Sequence, residues 1–165
     1  MAGRDRLTPV KLPPFQAVLD AHRSDVYRFV VAAVGPNEAD DVFQEACIAA
    51  LRAYPRLRSV ENLRGWLLRI AQRKAIDAHR ARGRRAVPVG GTPEPPAPPA
   101  ELDGDDPELW GALRELPPKQ RMAVFCRAVL GMPYSELAVL LDSSEEAARR
   151  NLHEGLKRLR EEWTP

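Results

Sequence analysis

Cysteine and histidine are scarce in this 165-residue chain. Cys47, Cys126, His22, His79 and His153 are the whole inventory, and no two lie close enough in sequence to form a metal-ligand motif. That excludes a disulfide framework and a zinc module, so both cysteines read as small buried apolar residues. No glycine-rich phosphate loop and no carboxylate cluster with metal-ligand spacing occurs either, so neither a catalytic residue, a metal nor a cofactor is expected. Long apolar runs are also missing. No window approaches the roughly 20 residues of a membrane span, and the opening MAGRDRLTPVKLPP lacks a signal-type apolar core. The expectation is a cytoplasmic protein with no membrane insertion. Apolar residues make up 44% of the chain, enough for one domain or two small ones, each marginal in core size.

The modest formal net charge of +2 hides a strong segregation. Residues 55–85 carry ten Lys/Arg against only Glu61 and Asp77, whereas residues 86–106 carry five acids, six prolines and no base. The second segment, AVPVGGTPEPPAPPAELDGDD, has too little apolar content to build a core and reads as an extended linker. It divides the chain into a lead at 1–14, a helical block at 15–85 and a second at 107–165. The basic concentration implies a polyanionic partner.

Apolar periodicity predicts three helices in the first block. Phe15, Val18, Leu19, Val26, Phe29 and Val30 form a stripe that the GPN at 35–37 ends, and Asn37 is the expected cap of the next helix, running to Tyr54. In that helix Phe43, Cys47, Ala50, Leu51 and Tyr54 are the expected buried face. Asp41, Gln44, Glu45, Ile48 and Arg52 fall on another, where an outward Ile among acids is unusual. The third helix, from Asn62 or Leu63 to about Arg82, is expected to bury Trp66, Leu67, Ile70 and Ala71. It presents Arg69, Gln72, Arg73, Ile76, His79 and Arg80 along a second stripe.

In the second block YSELAVLLDSSEEAARRNLHEGLKRLR, at 134–160, reads as two amphipathic helices joined by a tight turn, the helix-turn-helix layout that lays its second helix in a DNA major groove. Leu137, Leu140 and Leu141 and then Ala148, Leu152, Gly155, Leu156 and Leu159 are the expected core positions. Asp142 sits where φ turns positive. Ser143 or Ser144 caps the second helix, and Ser143 would complete a capping box with Glu146. Glu145, Glu146, Arg149, Arg150, His153 and Lys157 remain on the outer face, where Arg and His suit base edges or phosphates and Glu suits cytosine amino groups.

These stretches resemble the extracytoplasmic-function (ECF) sigma factors, the small two-domain sigma subunits of bacterial RNA polymerase. ADDVFQEACIAALRAY at 39–54 is similar to their ADDLVQETFLRAW-type segment, and NLRGWLLRIAQRKAIDAHRAR at 62–82 to their FRAWLYRIARNLAIDHLRR-type segment. Residues 113–160 resemble their C-terminal domain almost throughout. The resemblance implies an all-α fold of two small helical domains and a non-enzymatic promoter-specificity subunit. Its partners would be core RNA polymerase, promoter DNA and an anti-sigma factor. It implies that Asp41, Gln44, Glu45 and Ile48 dock on the clamp of the largest polymerase subunit. Arg58, Asn62, Arg69, Gln72, Arg73, His79 and Arg80 would contact minus-10 DNA, while Ser144, Glu145, Arg149, Arg150, His153 and Lys157 would contact the minus-35 element.

The recognition helix departs from the family's SEGTVKSRLHRA pattern, since Asn151 stands where Arg is common and Glu146 and Glu154 add negative charge. The promoter sequence is therefore not legible. Linker length agrees with the reading. Two elements about 17 base pairs apart lie on the order of 58 Å from each other, and 21 polyproline-like residues reach about 65 Å. A polymerase-independent helix-turn-helix regulator is the main alternative, but it leaves the Asp41 to Ile48 face unexplained. A sigma-like protein that only binds partners is a third.

Overall fold

A computed structural model describes residues 10–85 and 106–162, and every regular element among them is helical. The first half holds α1 (Phe15–Val34), α2 (Pro36–Ala53), a 3-10 turn (Tyr54–Arg56) and α3 (Leu63–Arg85). Gly35 separates α1 from α2 at φ 84, a left-handed conformation that suits glycine, and its N–H closes α1 on the Val31 carbonyl at 2.9 Å. Pro36 follows in the first turn of α2, where its missing N–H costs nothing. Gly35 thus holds the cap position expected of Asn37, which lies within the first turn. Tyr54 leaves α2 for the 3-10 turn. Its hydroxyl donates to the Pro13 carbonyl, and its ring lies 5.3 Å from Phe15 and 6.0 Å from Trp66.

Helices α1, α2 and α3 pack on one another around Phe29, Val30, Val42, Ala46, Ala50, Leu67, Leu68 and Ala71. Two expected faces are corrected. Leu51 is 55% exposed, because the buried stripe of α2 runs through Ala39, Val42, Phe43, Ala46 and Ala50 and leaves position 51 outside. In α3, Trp66 and Ile70 are only half-buried, whereas Leu68 and Ala75 are in the core. The cause is tertiary: α3 is covered on a further side by the second half of the chain.

That second half contains α4 (Pro107–Glu115), α5 (Pro118–Val124), a π-helical turn (Phe125–Val129), α6 (Tyr134–Leu140) and α7 (Glu145–Glu162). Asp106, expected to end the linker, is the cap of α4 and accepts the Glu108 N–H at 2.9 Å. The remainder of that linker and the lead at 1–9 lie outside the described residues. Cys126 is fully buried in the π turn, where burial pushes its thiol pKa up to about 12, so it serves as the packing residue expected. Cys47 is half-buried.

The helix-turn-helix forms: Asp142 has φ 49, Leu137, Leu140 and Leu141 are buried from α6, and Ala148, Gly155 and Leu159 from α7, whereas Leu152 and Leu156, expected in the core, are only half-buried against it. Ser144 rather than Ser143 is the cap, accepting the Ala147 N–H at 3.1 Å, so the third helical residue is Ala147 and the box with Glu146 does not form.

The two helical regions share one continuous apolar core. Val30, Val31, Ala32, Ala33 and Val34 are all buried, which no single amphipathic stripe achieves, because the end of α1 is enclosed by α2 and α3 and also by α5 and the π turn. Two arginines tie this seam through main-chain carbonyls. Arg121 donates to Ala32 O at 3.2 Å and Leu116 O at 3.1 Å, and Arg64 donates to Leu130 O at 3.0 Å and to Asp25 at 3.3 Å. Burial lowers the Arg121 pKa below its ordinary value.

Gly155 permits the close approach of α7 to α5, since a Cβ there would lie 2.7 Å from Val124 Cγ2 and 3.2 Å from the Gln120 carbonyl. Gly111, inside α4, has nothing within 4 Å of the same position. Gly155→Ala should therefore destabilise the protein by about 1–2 kcal/mol despite its better helix propensity. Gly111→Ala should stabilise it by about 0.5–1 kcal/mol. Thermal or urea unfolding of the two variants checks the opposite signs.

Candidate nucleic-acid interface

Three exposed faces carry the residues singled out by sequence. On α2, Asp41, Gln44, Glu45 and Ile48 are all exposed at positions that recur one and two helical turns apart. Ile48 is 44% exposed, and Leu51 extends the same stripe by one further turn. Sequence reasoning assigned Leu51 to the core, although its place three residues after Ile48 was the available signal. Neighbouring Asp40 differs from Asp41, because it accepts the Tyr27 hydroxyl at 2.8 Å in a cleft lined also by Arg23, Phe43 and Cys47. Burial and this carboxylate raise the Tyr27 pKa.

The basic face is exposed at every candidate residue but Gln72, which is half-buried. Arg58 in the loop before α3, and Arg73 and Arg80 on α3, are exposed to solvent. Asn62 and Arg69, also exposed, line a cavity of about 290 Å³ whose other wall is Met132, Ser135, Glu136, Val139 and Leu140 of the second half. Gln72 and His79 line another, of about 220 Å³, opposite Lys119, Arg121 and Met122. The His79 ring nitrogen Nε2 lies 3.0 Å from the Ala33 carbonyl. Asn62 has a structural duty that sequence missed, since its Oδ1 accepts the Gly65 N–H at 2.9 Å and caps α3. Asn three residues before a glycine in a helical run was the signal.

On α7, Glu145, Glu146, Arg149, Arg150, His153 and Lys157 are all exposed on the side away from the core. Ser144 lies beside them, but its hydroxyl is occupied by the cap. Glu154, which looked like a negative charge aimed at DNA, accepts the side-chain amide of Gln120 at 3.1 Å and so serves the α5–α7 seam. Among the described residues no group of three His, Cys, Asp or Glu side chains converges on a metal site, and no helix is long and apolar enough to cross a membrane.

Comparison with known proteins matches residues 18–85 to sigma-70 region 2 and residues 107–159 to sigma-70 region 4. The ECF RNA polymerase sigma factor SigD of Mycobacterium tuberculosis is 38% identical over 158 residues, covering 88% of this chain and 74% of that protein. SigX of Bacillus subtilis is 29% identical, covering 88% and 81%. Among solved structures the sigma factor RpoE of Bartonella quintana, in complex with the anti-sigma factor NepR, superimposes with a TM-score of 0.74 at 21% identity, over 91% of this chain and 96% of that one. That likeness is one of fold.

An all-helical chain with regions 2 and 4 in this order is a sigma subunit, a DNA-binding transcription initiation factor. The chain belongs to the ECF sigma factors, which direct RNA polymerase to promoters. Nothing among these matches supports a regulator that acts without polymerase.

The two roles open to Asn62 are separable. Asn62→Ala should lower stability by about 1 kcal/mol through loss of the cap, whereas Arg73→Ala on the exposed stripe should stay within about 0.5 kcal/mol of the parent. Chemical denaturation in the absence of DNA distinguishes them.

Proposed function

We propose that the three faces divide promoter recognition among them. Asp41, Gln44, Glu45 and Ile48, with Leu51, dock on the clamp of the largest polymerase subunit. The 56–62 loop and α3 hold the opened minus-10 strand through Arg58, Arg69, Gln72, Arg73, His79 and Arg80, with Asn62 at the start of the helix. The outer face of α7 meets minus-35 duplex. The observation that supports this reading is that nearly all of these residues are exposed, on helices whose other side is packed into the core. Polar and apolar side chains are thereby left to partners rather than to folding.

On this reading residues 15–85 and 107–165 are the working domains and 86–106 the tether between them. Phosphodiester chemistry stays with the polymerase, so the chain is a non-enzymatic cytoplasmic subunit. An anti-sigma factor as a further partner is supported by the RpoE–NepR complex and by CnrH bound to the cytosolic domain of CnrY.

The described packing imposes a condition. Packed helices lie 8–10 Å apart, so α3 and α7, separated by α5 and α6, stand on the order of 20 Å apart. Promoter elements about 17 base pairs apart need about 58 Å. The halves therefore separate on promoter DNA, releasing the Arg64–Leu130 and Arg121–Ala32 bonds and opening the two cavities that Asn62, Arg69, Gln72 and His79 line. Opening the duplex costs a few kcal/mol per unstacked base, which stacking and phosphate contacts to that face offset.

Run-off transcription with purified core polymerase on a promoter library tests the whole reading, and transcripts should start at discrete sites only when this chain is present. Asp41→Arg combined with Gln44→Ala should weaken core binding at least about thirtyfold while circular dichroism and melting temperature stay near the parent's. Wild-type core affinity in the folded double variant would remove the α2 assignment.

A further inference from the structure

Arg149 is the first basic residue of α7 and stands within its first two turns, the part of a recognition helix that reaches base edges. An exposed arginine on a helix ordinarily samples many rotamers and loses that freedom when it binds. Here the guanidinium is held at both ends. Its carbon lies 4.7 Å from the centroid of the Tyr134 ring, and Nη2 lies 3.7 Å from the Glu145 carboxylate one turn earlier. The same ring carries a second guanidinium, that of Arg127, at 4.6 Å, and Arg127 is itself fixed by donation to the Met132 carbonyl at 3.0 Å. Tyr134 opens α6 directly after Pro133, so its backbone is set by the start of that helix.

We infer that Tyr134 is a positioning residue for promoter recognition: its ring, stacked with Arg127 and Arg149, holds the Arg149 guanidinium in place for a minus-35 contact. The inference rests on the reading that the outer face of α7 meets minus-35 DNA. The negative π face attracts a cation without consuming N–H donors, so the donors of Arg149 stay available to a guanine edge or a phosphate. Glu145 then has a use beyond any contact of its own with DNA, since it braces Arg149 from the same helix. Two like charges beside one ring repel each other, but each has its own counter-group, the Glu145 carboxylate for Arg149 and the Met132 carbonyl for Arg127.

The readout is minus-35 discrimination by the holoenzyme, the ratio of its affinity for a selected minus-35 duplex to that for a scrambled one, measured at fixed salt. Arg149→Ala should lower that ratio by about tenfold. Tyr134→Leu, which keeps apolar bulk but removes the π face, should lower it about three- to tenfold, and Tyr134→Phe should keep it near the parent's. In the Arg149→Ala background Tyr134→Leu should bring no further loss. Wild-type discrimination in Tyr134→Leu, an undiminished loss in the double variant, or an equal loss in Tyr134→Phe overturns the inference. Wild-type discrimination in Arg149→Ala overturns the minus-35 reading of Arg149 and the inference with it. A second measurement does not depend on the folding of Tyr134→Leu. Nitrogen relaxation at Arg149 Nε of the DNA-free parent should give an order parameter above about 0.6, and a value in the flexible range contradicts the role.

Discussion

The burial of the last turn of α1 governs the rest of the structure. Val30, Val31, Ala32, Ala33 and Val34 leave no polar face on that turn, so it must be enclosed on all sides. Helices α2 and α3 cover one part of it, and α5 with the π turn covers the other. Burying each valine contributes about 1.5–3 kcal/mol, and exposing the turn forfeits part of that. Arg64 and Arg121 close the ends of the seam by donating to the carbonyls of Leu130 and Ala32, where the chain path leaves acceptors facing the opposite half. Arginine suits such a seam because its charge survives partial burial while its planar donors satisfy two acceptors at once.

This enclosure distributes accessibility among the three faces. The α2 face stands on a helix that packs against α1 and α3, and its Ile48 and Leu51 are exposed in the described state. Docking of polymerase on that face, as proposed, needs no rearrangement. On the α3 face every candidate residue but the half-buried Gln72 is exposed, and Asn62, Arg69, Gln72 and His79 also line two cavities whose other walls come from the second half of the chain. On the proposed reading, docking through α2 can precede separation of the halves, which is driven by contacts that the closed form lacks.

Much of this was legible in the chain because local rules and tertiary demands agree there. The bounds of α1, the left-handed Asp142, the outward Ile48 and the polar face of α7 each follow from periodicity or turn chemistry. The failures have particular causes. Leu51 was assigned to the buried stripe of α2, but that stripe runs through Ala46 and Ala50 to Tyr54, which is buried as expected, and leaves Leu51 outside. Ala75 stands beside Pro118, Lys119 and Met122, more than forty residues later in sequence, which periodicity within α3 does not register. Asn62 and Ser144 carry types equally suited to DNA contact and to helix capping, and the cap geometry, visible only in three dimensions, decides how their side chains are used.

On the proposed reading, a seam closed in the free protein opens on promoter DNA. Fluorophores placed by Asp77→Cys on α3 and Arg158→Cys on α7, two exposed positions outside the proposed contacts, report it directly once Cys47 is replaced by serine; Cys126 is buried and its thiol inert. In the free chain the labelled helices should stand within roughly 30 Å, about three helix spacings. In the holoenzyme on promoter DNA their separation should rise to on the order of 50 Å or more. A distance that stays at its free value in a transcriptionally competent complex would contradict the account.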